Sequence, residues 1–293
     1  MGAVTELEKD SVETTLSITP LQPTIGAEVG GIDLRTPLSD RLRDQIKAAL
    51  LQYKVLFFRD QQIDRRQHLD FAKRFGPIYT PPYPAEQLID VDGESGVHRI
   101  AANKEQSQIY ENQRRPGLIY DGYHSDTNWR LVPSWGAVLK AVDLPPVGGD
   151  TIWVDAGLAY RELPDGVKDR LEGLHAVVDF RDSLRRTGNE DYPLVAHPIV
   201  RTHRETGEKI LWVDFGKHAQ IIGLNETENR EILSLILDRY RKPEYQVRFN
   251  WKPGSIAFWD NRAAVHRAVR NYGDYPRLLE RVLIDDESPW RTL

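Results

Sequence analysis

Apolar residues recur along the first quarter of the chain at helical spacing. Leu42, Ile46, Ala49, Leu50 and Tyr53 share one face of a 3.6-residue repeat, and Ser39 stands where a side chain would cap the first turn. The pattern predicts a helix that runs into Val55–Phe58, a wholly apolar strand. Asp64 and Gln67 have the spacing of a capping box for a second helix carrying Phe71 and Phe75, which Gly76 and Pro77 end. Ser17–Leu21 and Val29–Leu34 read as short strands about a Gly-rich turn. Beyond Asp126 the period changes. Trp135–Val142, Thr151–Val154, His175–Phe180, His197–Thr202, Lys209–Val213, Tyr245–Trp251, Ser255–Trp259 and Leu278–Ile284 all read as strands. Helices are expected at Ala156–Leu163, Asp165–Leu171 and about Asn225–Tyr240, the last with an apolar row of Ile232, Ile236 and Leu237. Many short strands punctuated by Gly and Pro, with few helices between them, predict a mainly β fold. The expected form is a double-sheet jelly roll with flanking helices, not a doubly wound sheet.

Residues 78–120 differ from the rest. This stretch is rich in Pro, Gly and polar residues, and only Val97–Ala101 within it has strand character. So long a segment with so little regular pattern reads as an active-site loop or lid inserted into one domain spanning 1–293.

Composition narrows the chemistry. The chain holds 39 Lys+Arg against 44 Asp+Glu, a net charge of -5, which gives no general attraction for nucleic acid or an anionic membrane. Residues 1–13 are polar and lack the apolar core of a targeting signal, and no stretch approaches a membrane span, so a cytoplasmic location is expected. The chain has no cysteine, which excludes disulfides, thiolate nucleophiles, sulfur-bound zinc and iron–sulfur clusters. Any metal must be held by His and carboxylate. The Gly-rich pieces match neither a dinucleotide fingerprint nor a P-loop.

The candidate for such a site is Tyr123-His124-Ser125-Asp126. Alternate residues of a strand point to one side, so His124 and Asp126 would aim an imidazole and a carboxylate at one ion. Chance His-x-Asp pairs are common, and a second His from a distant strand is needed to complete a 2-His-1-carboxylate triad. Of the eight His, His266 is the best candidate, directly after the apolar run Ser255–Phe258 and Trp259-Asp260-Asn261-Arg262. Arg277 and Arg281 follow four residues apart, on one face of the last strand. Arginine is the natural bidentate clamp for a carboxylate, although either could equally be a surface ion pair.

These landmarks together resemble the taurine/2,4-D dioxygenase family of Fe(II)- and 2-oxoglutarate-dependent oxygenases. The similarity runs from about Ile18 to Asp285. It includes the Gly26–Gly31 turn, Phe71–Gly76, His124-Ser125-Asp126, Pro145–Thr151, Trp259–Arg262, His266, Arg277 and Arg281. The resemblance implies a double-stranded β-helix, another name for the jelly roll. It also implies Fe(II) held by His124, Asp126 and His266, with 2-oxoglutarate and O2 as cosubstrates. Arg277 resembles the residue that clamps the distal carboxylate of 2-oxoglutarate, and Thr151 the threonine that hydrogen-bonds it. Arg281 resembles an arginine that contacts an anionic group of the primary substrate; the alternative role is to brace the cosubstrate or the neighbouring strand. The implied reaction is hydroxylation with release of succinate and CO2, followed by C–O, C–N or C–S cleavage when the hydroxyl lands beside a heteroatom. Halogenation is not expected, since Asp126 occupies the place a halide would need.

The substrate is expected to be a small or medium-sized organic anion. The family His that holds a sulfonate has no counterpart in Gly76–Pro84, which argues against taurine itself. Tyr79, Tyr83, Tyr120 and Tyr123 are candidates for an aromatic substrate wall bearing hydroxyls. Phe215 and Lys217 follow Lys209–Val213 in a region that borders substrate in relatives, where Lys217 could pair with an anion; His218 is a candidate pocket donor. Other readings remain open: a biosynthetic tailoring oxygenase acting on an amino acid or nucleotide-like intermediate, a zinc hydrolase using the same ligand types, or a jelly-roll protein that only binds a ligand. Relatives commonly self-associate, so a homo-oligomer is compatible with the sequence, but no feature locates an interface.

Overall fold

The apolar run Val55–Phe58 is buried at every residue, as a central strand covered on both faces must be. A computed structural model describes residues 15–82, 84–102, 119, 121–185 and 192–286. In it this run is β3 of a nine-stranded sheet. The spatial order is β1 (Ser17–Pro20), β2 (Ala27–Gly30), β3 (Val55–Phe58), β15 (Ile256–Asp260), β7 (Gly136–Asp143), β17 (Arg277–Ile284), β6 (Glu94–Ala102) and β5 (Leu88–Val91). A short β4 (Ile78–Tyr79) also pairs with β17. Every pairing is antiparallel except that of β2 with β3.

A second sheet, β14 (Gln246–Phe249), β8 (Thr151–Asp155) and β16 (Ala264–Ala268), faces the first. Phe57, Leu139, Trp153, Phe249, Trp259, Leu279 and Leu283 fill the space between them. Phe57 stacks on Phe249 across the two sheets at 4.0 Å and meets Trp153 edge-on at 5.4 Å. This is the double-sheet jelly roll. Two smaller ladders complete the β structure: β9 (His175–Val178) with β10 (Ala196–Pro198) and β13 (Ala219–Ile221), and β11 (Val200–Thr202) with β12 (Lys209–Leu211).

Helices cover the outer faces. α1 (Asp40–Tyr53) and α2 (Arg65–Lys73) bury Ile46, Leu50, Leu69 and Phe71 against Val138, Phe258 and Val282 of the large sheet. Ser39 caps α1 by accepting from the Leu42 N–H, and the Asp64/Gln67 capping box starts α2. α3 (Ala156–Arg161), α4 (Asp165–Leu171), the short α5 (Arg181–Arg185) and α6 (Glu226–Tyr240) follow. α6 opens with an Asn225/Glu228 capping box and lays Ile232, Leu233, Ile236 and Leu237 over Ile152, Val154 and Val265 of the second sheet.

The expected loop at 78–120 is corrected in its first part. β4, β5 and β6 lie there, and β6 is a full neighbour of β17. β5 and β6 form a hairpin about Asp92-Gly93, whose φ values of 54° and 87° are those of a two-residue turn needing two left-handed residues. Asp-Gly is a strong signal for that turn, but a register shift at Ile89/Asp90 and the Glu94-Ser95-Gly96 flank interrupt the strand alternation. Residues 103–118 and 120 lie outside the described residues. The run His197–Thr202 divides into β10 and β11 at Ile199, which pairs instead with Leu174 and Trp212.

Candidate metal centre

His124 enters the second sheet as an isolated bridge partner of His266 on β16. The His124 N–H donates to the His266 carbonyl at 2.9 Å, and the reverse bond is 2.8 Å. His266 sits opposite Trp153 of β8, so its ring points between the sheets. Two residues after His124, Asp126 returns its carboxylate to the same side. Ligand atoms of His124, Asp126 and His266 all lie within 4.8 Å of one another, the spacing of donors about a single ion.

Local chemistry prepares each ligand. His124 Nδ1 is 2.8 Å from the Gly122 carbonyl oxygen, which requires Nδ1–H to donate and leaves Nε2 as the lone-pair nitrogen. That Nε2 is 3.9 Å from Asp126 Oδ1. Burial, reinforced by the neighbouring His124 and Arg281, holds the His266 imidazole well below its usual range, in the neutral form a metal needs. The rings of Trp259 and Trp153 stand 4.8 and 6.2 Å from it and form a dry floor. Asp126 is buried. One carboxylate oxygen pairs with Arg281, while Oδ2 is buried with no hydrogen-bond partner among the described residues. Such an oxygen is costly to bury unless something cationic satisfies it.

The last strand supplies two cations to this interior. Arg277, Leu279, Arg281 and Leu283 alternate inward on β17, while Glu280, Val282 and Ile284 face outward. Arg277 is buried, and its Nε donates to the Gly149 carbonyl at 2.8 Å. Its Nη2 is 3.3 Å from Thr151 Oγ1, which also accepts from the Trp251 indole at 3.0 Å. Burial pulls Arg277 down to about 10, still cationic at neutral pH. Gly149 has a φ of +73°, and a Cβ there would press on Arg277 at 3.2 Å, so glycine is needed for both backbone and space.

Of the four tyrosines expected to form a substrate wall, Tyr79 and Tyr123 fall among the described residues. Tyr123 is a correction: it points away from its neighbour His124 and is buried against Tyr240 behind the second sheet, its hydroxyl accepting from Gln246 at 2.8 Å. Strand alternation forces this, because adjacent residues cannot face one side. Tyr79 pairs with Leu283 and packs under the Arg130 guanidinium, 3.6 Å from the ring centre. Tyr83 and Tyr120 lie outside the described residues. Phe215 is core, the Lys217 ammonium stands over Phe180, and His218 lines a cavity of about 320 Å³ with Gln220, Glu226 and Asn229.

Three residues that the sequence does not single out as site residues stand beside the cluster or Arg281. His98 on β6 lies directly opposite Arg281 and is wholly buried on the inner face. Asp214 is buried behind the ligand segment, accepting from the Gly216 N–H and from Asn128; burial pushes its carboxyl up to about 7. Asn261 bonds to Asp126 itself. Only Asn261 stood within a recognised motif, and nothing in that motif's spacing announced a contact 135 residues away.

The site and fold define a class, and comparison with known proteins agrees. The taurine catabolism dioxygenase TauD, TfdA family matches residues 17–283, and the chain belongs to that family. It is an alpha-ketoglutarate (2-oxoglutarate)-dependent dioxygenase. An alkylsulfatase of Acinetobacter baylyi is 29% identical over 93% of this chain and 86% of its own length. A (S)-phenoxypropionate/alpha-ketoglutarate-dioxygenase of Sphingobium herbicidovorans is 31% identical over 86% of this chain and 88% of its own. Among solved structures, a taurine dioxygenase from Burkholderia xenovorans superposes with a TM-score of 0.78 at 35% identity, covering 94% of this chain and 92% of that one.

Proposed function

We propose that the chain holds Fe(II) through His124, Asp126 and His266 and hydroxylates an organic anion at a carbon bearing oxygen, breaking the C–O bond. The observation that carries the iron reading is the convergence of His124, Asp126 and His266, whose ligand atoms all lie within 4.8 Å of one another. When bound, Fe(II) with 2-oxoglutarate and O2 supplies the oxidant, and the cosubstrate leaves as succinate and CO2.

The chain's own residues bind and orient. Arg277 has donors left after Gly149 and Thr151, enough for a bidentate grip on a carboxylate of 2-oxoglutarate. Thr151 Oγ1 already accepts from Trp251 and Arg277, so its own hydrogen is the one it can donate to that carboxylate. Trp153, Trp259 and Leu279 keep water from the floor beneath the ligands. Arg281 is the cation assigned to the substrate's anionic group, with His98 beside it on the same face. An alkylsulfatase and a phenoxypropionate dioxygenase among the relatives favour an anion joined to carbon near an ether or ester oxygen. Hydroxylation of that carbon gives a hemiacetal-type adduct, which collapses to a carbonyl compound and releases the sulfate or phenol.

Two measurements test this. Anaerobic protein given Fe(II) and 2-oxoglutarate should develop a weak visible charge-transfer band, and no band would count against the cosubstrate site. Alkyl sulfates and aryloxyalkanoates should then stimulate succinate formation in step with free sulfate or phenol. A stable alcohol in place of those products would leave hydroxylation standing and remove cleavage.

A further inference from the structure

We infer that Asn261 is a positioning residue for the metal carboxylate: its carboxamide grips both backbone polar groups of Asp126. Asn261 Oδ1 accepts from the Asp126 N–H at 2.8 Å, and Nδ2 donates to the Asp126 carbonyl at 2.8 Å and to the Ser134 carbonyl at 2.9 Å. These three bonds fix the orientation of the amide, since only the oxygen can accept and only the nitrogen can donate twice. The residue is buried, so each bond is made away from competing water.

The pairing imitates a β-ladder at a point where the ladder has ended. On its first residue the ligand segment is held by true backbone bonds, His124 to His266. At Asp126 a side chain takes over the partner's role. Both restraints come from one piece of chain, Asn261 to His266, which also carries the third ligand. Asn261 is itself tied down: its N–H donates to the Trp135 carbonyl at 2.8 Å, and the preceding Asp260 N–H donates to the Lys54 carbonyl at 2.9 Å. Asp260 is further locked by buried Arg262 and His203. The Asp126 backbone therefore rests on a rigid anchor, and its carboxylate moves only about its own side-chain bonds.

That restriction matters because Arg281 already pairs with the Asp126 carboxylate. A loosened Asp126 can follow Arg281 and leave the metal with two imidazoles. A fixed one keeps its carboxylate at the cluster, with Oδ1 3.9 Å from His124 Nε2. This role rests on the iron-site reading above, which the test keeps separate.

Mn(II) binding, followed by the loss of its free-ion electron paramagnetic resonance signal, is the probe for wild type, Asn261→Ala and Asn261→Asp. Asn261→Asp keeps the shape and the acceptor but replaces both donors with oxygen. Both variants should bind Mn(II) about 10- to 100-fold more weakly, the usual effect of removing an outer support of a ligand, while 2-oxoglutarate affinity at saturating Mn(II) shifts by less than about threefold. Phe57→Ala, which loosens the core between the sheets without touching the ligand segment, is the comparison for general loss of stability. Should Phe57→Ala weaken Mn(II) binding as much as the Asn261 variants at a similar fall in Tm, the effect is structural and the inference fails. Unchanged Mn(II) affinity in the variants overturns it alone. A wild-type chain that binds no Mn(II) overturns the metal reading, and this inference with it.

Discussion

Arg281 and His98 stand directly opposite each other on neighbouring antiparallel strands, both buried on the inner face of the large sheet. Arg281 reaches from there to Asp126, so the arginine proposed for the substrate anion also touches the carboxylate proposed as a metal ligand. One side chain thus links the two halves of the site.

Arg281→Ala and Arg277→Ala should separate the two anion-binding roles. Loss of Arg277 removes charge-assisted hydrogen bonds worth about 1.5–3 kcal/mol, so the Kd for 2-oxoglutarate should rise about 10- to 100-fold. Loss of Arg281 should raise KM for the primary substrate while leaving that Kd nearly unchanged. Equal losses of 2-oxoglutarate binding in both variants would mean that the two arginines form a single cosubstrate clamp. Quenching or charge-transfer titrations give the Kd, and succinate formation gives the KM.

Asp126→Ala leaves two imidazoles and no charge to match a divalent cation. Anaerobic Fe(II) titration should show loss of stoichiometric binding, and turnover should fall to background. Retained tight binding would show that the ion is held elsewhere.

Gly149→Ala tests the support behind Arg277. The added methyl meets the arginine side chain at 3.2 Å on a backbone at φ +73°, so both strain and displacement are expected. A cost of about 1–2 kcal/mol in stability, read as a lower Tm, should accompany weaker 2-oxoglutarate binding. A lower Tm with unchanged affinity would show that Arg277 can shift without loss.

Acid should destabilise the protein early. Burial pulls His68 to about 4 and His98 and His197 to about 3, from ordinary values near 6.5. Below pH 6.5 the unfolded chain binds protons that the folded chain refuses. Stability is therefore full above that pH and is lost as the pH falls toward 4, with each histidine contributing a slope of roughly 1.4 kcal/mol per pH unit. Tm measured from pH 7 to 4 should drop steadily, and His68→Leu should reduce the slope by one proton's share. A flat profile over that range would show that these rings are protonated in the fold.

Phe57→Ala should cost about 3–5 kcal/mol, because the ring fills space between the sheets against Phe249 and Trp153. Chemical denaturation gives the value. A cost under about 1 kcal/mol would mean that the sheets close over the gap.

Much of this architecture is legible along the chain because it is local. The 3.6-residue row from Leu42 to Tyr53, the Asp64/Gln67 box and the apolar strands around Val55 and Ile256 each express backbone geometry within a few residues. The clustering of His124, Asp126 and His266 is readable for a different reason: His124 and Asp126 obey strand alternation, and His266 stands in a motif. The hairpin about Asp92-Gly93 is harder to read although the turn has the right residues, because a register shift at Ile89/Asp90 breaks the alternation of its flanks. Tyr123 was misassigned to the substrate wall because a residue beside a ligand in sequence lies behind it in a strand.

By itself, then, the sequence determined the donor types, with no cysteine to compete, and the periodicities that build two sheets with helical covers. Only the tertiary structure decided which distant groups meet. It set His266 against His124, Asn261 under Asp126, and His98 beside Arg281. These contacts depend on strand register and on the packing of Phe57, Phe249 and Trp153 between the sheets, which hold the ladders at their spacing. A residue's own neighbours along the chain carry no record of a partner more than a hundred positions away; hydrogen bonding across a sheet and a close-packed interior create that record when the chain folds.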